Sequence, residues 1–129
     1  IEQIGSVACH TGKRSCFFKD LGTNQDVLQF PSDACSELFR VIESRKSNPE
    51  EGSYTNSLLK EGDNKILKKI GEETAEFIMA CKDKNLISIA DEAADLLFHL
   101  QVALAHQNVS WLEVLKVLVK RRGGPRRNQ

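Results

Sequence analysis

Four carboxylates, arranged as two pairs, are the residues of this chain best suited to chemistry. They are Glu73 with Glu76, and Glu92 with Asp95. Residues three apart on a helix stand side by side on one face. If the two helices face each other, four hard oxygen donors converge, a set that suits Mg²⁺ or Mn²⁺. A metal held this way lowers the pKa of bound water and polarises a phosphate, the requirements for hydrolysing an anhydride. Glu72 adds a fifth ligand or a base that positions the water. Polyphosphate also needs positive charge, and Arg40, Arg45, Lys46, Lys65, Lys68 and Lys69 precede or flank the acidic pairs. Ser53, Tyr54 and Thr55 supply three consecutive hydroxyls, and His99 lies one turn after Asp95. Each has a plainer reading. Glu72, Glu73 and Glu76 also fit a solvated face paired with lysines, and His99 also fits a hydrogen-bonded histidine inside a bundle.

The elements that must position these groups are helices. Ser32 or Asp33 can cap a helix beginning near residue 33, with Leu38, Phe39, Val41 and Ile42 on its apolar side. Residues 44–53 are polar, contain Pro49 and Gly52, and read as a loop. A short helical turn over 55–60 ends at Gly62. Asp63 or Asn64 then caps a long helix to about Lys82, in which Ile66, Ile70, Phe77 and Cys81 mark the buried stripe. Glu73 falls within about 20° of Ile66 on that wheel, so it borders the core. A second long helix runs from Leu86 to Gln107. It is apolar nearly all round, with one polar strip of Glu92, Asp95 and His99, and therefore reads as buried on both sides. The short turn between them makes these two helices antiparallel neighbours. Ser110 caps a last helix to about Arg122, beside which Trp111 packs. The expected fold is an all-α antiparallel bundle over 32–123, completed by dimerisation because one hairpin cannot enclose its own polar seam. Residues 1–22 read as a short β/turn piece, 23–31 as a linker, and 124–129 as a frayed tail.

Eighteen basic and eighteen acidic residues among 129 leave no net charge. This argues against a dedicated nucleic-acid or membrane-surface binder, with room left for a local basic patch. No apolar run reaches the roughly 18 residues that span a bilayer. Cys81 in an apolar stripe fits a buried, reduced thiol and a reducing compartment. The chain starts at Ile1 without a signal-peptide pattern, which reads as a fragment or a processed product. Neither a glycine-rich phosphate loop nor a nucleophile–histidine pairing is recognisable.

The segments Ser53-Tyr54-Thr55, Gly62, 69–76 (KIGEETAE) and 92–99 (EAADLLFH) occur in an order and spacing that resembles phosphoribosyl-ATP pyrophosphatase, from about Leu38 to Arg122. Phe98 stands where that family often has Tyr. The resemblance implies a homodimeric, cytoplasmic enzyme of histidine biosynthesis, or a plastid one in a photosynthetic eukaryote. It would use Mg²⁺, with Mn²⁺ as a substitute, to convert phosphoribosyl-ATP to phosphoribosyl-AMP and pyrophosphate. Glu73, Glu76, Glu92 and Asp95 would hold metal, with Glu72 and Glu73 catalytic. Arg40, Arg45, Ser53, Tyr54, Thr55, Lys69 and His99 would bind the nucleotide. The segment 5–18 (GSVACHTGKRSCFF) resembles the end of phosphoribosyl-AMP cyclohydrolase, in which cysteines matching Cys9 and Cys16 bind zinc. The third zinc cysteine and the magnesium-binding aspartates of that family lie upstream of this segment. Zn²⁺ therefore belongs to an intact cyclohydrolase domain, and this chain alone should lack that activity. Two other readings stay open: a house-cleaning nucleoside triphosphate pyrophosphohydrolase with the same metal site, and a non-catalytic helical module whose acidic strip binds a basic partner.

Overall fold

The computed structural model describes residues 31–123 as five helices: α1 (Pro31–Ser47), α2 (Tyr54–Glu61), α3 (Asp63–Asp83), α4 (Leu86–His106) and α5 (Trp111–Gly123). The β/turn piece over 1–22, Cys9 and Cys16, most of the linker and the tail lie outside the described residues. The expected all-α class is found, with no strand among the described residues.

The antiparallel hairpin of α3 and α4 is the backbone of the fold. Lys84 turns it in the left-handed conformation and donates its N–H to carbonyls at the end of α3. Asn85 then caps α4 by accepting from the Ser88 amide at 3.1 Å. α1 and α2 pack against the hairpin at one end only. There Phe39, Ile42, Leu58, Ile66, Phe98, Val102 and Ala105 form the core, with Trp111 packed on its margin as expected. Gln101 is fully buried among them and donates to the Cys35 carbonyl at 2.9 Å, pinning α4 to α1.

Several sequence expectations need correction. α1 begins on the linker's closing residue, Pro31, a residue that the first turn of a helix tolerates. It also continues through Ser47, taking four residues from the expected loop. Its basic last turn explains this: Lys46 Nζ donates to the Ala105 carbonyl at 2.7 Å and to Asn108 Oδ1 at 2.5 Å, tying the helix end to α4. The shortened connector is stapled by Asn56, which donates to the Arg45 carbonyl and accepts from the Glu50 amide. Gly62, not Asp63 or Asn64, stands at the N-cap of α3, with φ 82° and ψ −160°. Asp63 Oδ1 instead meets Gln107 and His106 from the end of α4.

Cys81 is exposed, not buried, and so are Leu67 and Ile78. The far tip of the hairpin extends past α1 and α2, so its apolar positions, including Met79, Leu86 and Ile87, have nothing in this chain to cover them. Nor is α4 buried on both sides within the chain: Leu100, Ala93 and Ala94 are exposed. No helix among the described residues is long and apolar enough to cross a membrane.

Candidate metal centre

The acidic residues meet midway along the hairpin, where the packed half gives way to the uncovered tip. Glu73, Glu92 and Asp95 each present a carboxylate oxygen within 4.8 Å of the others. Glu73 and Asp95 are buried, as the wheel position of Glu73 anticipates. Glu76 is exposed and hydrogen-bonded to Glu92. Both pairs thus arrive at one place, three residues in the tight group and Glu76 at its edge.

Such a concentration of negative charge is unfavourable unless a proton or a cation offsets it. Burial, the bond and charge of Glu76, and the charges of Asp95 and Glu73 push the Glu92 carboxyl up to about 7. One oxygen of Glu73 and one of Glu92 are buried with no hydrogen-bond partner. Buried carboxylate oxygens rarely stay unmatched, and a divalent cation bound by oxygen is the partner these residues fit.

Lys69 supplies the positive wall. Its ammonium lies 3.4 Å from Glu73 and 3.3 Å from Glu72. Burial opposes its charge, but Glu72, Tyr54 and Glu73 outweigh that and hold its pKa above the usual value. Glu72 itself is partly exposed, shared between Lys68 and Lys69, and lies outside the tight carboxylate group.

Tyr54 and His99 come together from α2 and α4. His99 Nδ1 donates to the Asp95 carbonyl at 2.7 Å, and Tyr54 Oη lies 3.1 Å from Nε2. In the neutral ring that tautomer leaves Nε2 as the acceptor of the tyrosine hydroxyl. Burial lowers the His99 pKa against the opposing pull of the Asp95 carbonyl and the Glu73 charge, which favours this neutral form. The Tyr54 ring stacks on Phe98 at 6.0 Å.

The remaining expected substrate residues are spread out. Arg45 bonds the Ser53 hydroxyl at 3.3 Å and pairs with Glu50 at 3.4 Å, while Ser53 also caps α2 through the Asn56 amide. Thr55 is buried. Arg40 pairs with Glu37 and lines an apolar groove with Phe39, Trp111 and Leu115. It is not paired with Glu73, Glu92 or Asp95, because α1 turns that face toward α5. Sequence reasoning missed Phe98 as the backing of Tyr54 and Gln101 as the buried polar pin. An amide inside an otherwise apolar helix was the available signal for Gln101.

Sequence comparisons cover the same helices. The phosphoribosyl-ATP pyrophosphohydrolase family matches residues 35–122. The histidine biosynthesis bifunctional protein HisIE of Parasynechococcus marenigrum (strain WH8102) is 66% identical, over 99% of this chain and 60% of its own length. The proteins of the same name from Prochlorococcus marinus (strain MIT 9313) and Nostoc sp. (strain PCC 7120) are 64% and 52% identical. They are matched over 99% and 95% of this chain, and over 60% and 55% of their own lengths. The chain thus spans somewhat over half the length of these relatives. With the family's extent coinciding with the helical domain that carries the acidic centre, the chain belongs to the phosphoribosyl-ATP pyrophosphohydrolase family.

Proposed function

We propose that this chain hydrolyses phosphoribosyl-ATP to phosphoribosyl-AMP and pyrophosphate, as a cytoplasmic step of histidine biosynthesis. Glu73, Glu76, Glu92 and Asp95 would hold Mg²⁺, or Mn²⁺ in its place. The observation that carries the reading is the pair of buried, unmatched oxygens on Glu73 and Glu92 within a three-carboxylate cluster. The bound ion would supply an acidified water and a counter-charge for phosphate. Lys69, already charged beside Glu73, offsets negative charge that builds on the phosphoryl oxygens. Glu72 orients Lys69 and is the nearby group through which a proton can leave. Arg45 and Ser53 form a second polar point at the start of α2, suited to an outer phosphate or ribose hydroxyl.

A second copy of the chain would cover the exposed apolar residues Leu100, Leu112, Leu118 and Val119. Residues 1–22 would be the end of a cyclohydrolase domain, in keeping with the bifunctional name of the relatives. Cys9 and Cys16 alone would hold zinc weakly, since two ligands do not close a site.

The test is magnesium-dependent pyrophosphate release from phosphoribosyl-ATP, run beside a panel of ordinary and damaged nucleoside triphosphates. Turnover confined to phosphoribosyl-ATP supports the proposal. Preference for the panel points to the house-cleaning reading, and no metal-dependent turnover on any substrate points to an interaction module.

A further inference from the structure

His99 stands beside the acidic centre, yet its ring is already committed within the chain and does not suit a ligand of phosphate. It is 4% exposed, and both ring nitrogens are engaged within the chain. Nδ1–H is committed to the Asp95 carbonyl, so Nε2 carries a lone pair directed to the Tyr54 hydroxyl. A lone pair repels a phosphate oxygen. Tyr54, by contrast, is 48% exposed although three contacts from two residues hold it. Phe98 lies against the ring at an interplanar angle of 23°, His99 meets it edge-on at 84°, and His99 Nε2 receives its hydroxyl. Phe98 and His99 also contact each other edge-on at 5.0 Å, so the three rings form one unit spanning α2 and α4.

An aromatic ring held this firmly and left half open is a surface for another flat ring. We infer that His99 is a positioning residue that fixes Tyr54 as a wall on which the purine of the substrate stacks. This rests on the proposed nucleotide substrate. The link joins distant parts of the chain: α2 begins at Tyr54 itself, and its hydroxyl is anchored by a residue 45 positions away. The polyphosphate then runs from the ring toward Lys69, whose ammonium lies 3.4 Å from Glu73.

A double-mutant cycle on phosphoribosyl-ATP hydrolysis tests this, with KM and kcat read separately. Tyr54→Phe keeps the ring and loses its hydroxyl. His99→Asn keeps a donor for the Asp95 carbonyl and loses the acceptor, whereas His99→Gln places an acceptor near Nε2. Loss of one hydrogen bond should raise KM roughly 2- to 12-fold in Tyr54→Phe and in His99→Asn, with kcat little changed. The double variant should be no worse than either single, and His99→Gln should recover most of the loss. Tyr54→Ala removes the wall and should raise KM roughly 5- to 150-fold, the range expected for one stacked base. Additive losses, or a kcat defect in His99→Asn that His99→Gln does not restore, would overturn the inference and place His99 in contact with substrate or metal. Nitrogen-15 spectra of the imidazole provide a readout that needs no turnover. Nε2 should be the unprotonated nitrogen and shift in Tyr54→Phe; a protonated Nε2 would also overturn it. An inactive wild type would instead refute the proposed function.

Discussion

Replacing Glu92 by Gln should move stability and activity in opposite directions. In the metal-free protein its carboxylate sits in a group whose oxygens lie within 4.8 Å of one another. Two like charges at that separation repel by about 3.5 kcal/mol at an effective dielectric of 20, and by about 0.9 kcal/mol in water. Glu92 is partly exposed, so solvent screening puts the gain near the lower figure, about 1 kcal/mol. For a domain of this size that raises the melting temperature by about 4–8 °C. The sign follows from linkage. Glu92 is raised from 4.5 to about 7 in the folded chain, so the folded state binds its proton more tightly than the unfolded state does. Its contribution to stability is therefore present below pH 4.5 and lost as pH rises through about 7. Gln cannot ionise, so the advantage of the variant should be full at pH 8 and vanish near pH 4.5. Activity should fall sharply: even partners that only support a metal ligand are worth about 10- to 100-fold, so a direct ligand should exceed about 100-fold. Calorimetric melting in chelator at the two pH values, with magnesium titration and a turnover assay, checks both halves. A variant that melts lower than wild type at pH 8 and binds magnesium equally well would refute the reasoning.

Protons and metal compete for Glu92, so magnesium affinity measured by titration calorimetry should fall as pH drops through about 7. An affinity flat between pH 8 and 6 would exclude Glu92 as a ligand. Lys69→Met should lower kcat by about 100-fold through loss of the positive wall. It should not weaken magnesium binding, because Glu73 loses a competing partner. Gly62→Ala meets no atom within 4 Å, but places a side chain at φ +82° and ψ −160°, a cost of about 1–3 kcal/mol seen as a lower urea midpoint. Leu118→Asp on the exposed face of α5 should shift the sedimentation coefficient from dimer to monomer if a second copy covers that face.

Helical spacing alone located α2 to α5 to within about two residues, because capping residues and glycines punctuate them. It also put Glu73 on the core margin and Glu92 beside Asp95, since those are properties of a single helix. The end of α1 was not legible. Residues 44–47 look like loop until Lys46 finds the Ala105 carbonyl 59 positions away. Cys81 looked buried because a wheel shows which face is apolar, not whether another element reaches it.

The sequence determined which groups are hydrolytic candidates, since carboxylates three apart must share a helical face whatever surrounds them. Tertiary structure decided how they combine. It set Glu73 of one helix against Glu92 and Asp95 of the next, left Glu72 with two lysines, and turned Arg40 toward α5. It also joined Tyr54 to His99 across 45 residues. The physical reason is that periodicity fixes direction around one axis, whereas distance between side chains on different axes depends on how the helices pack.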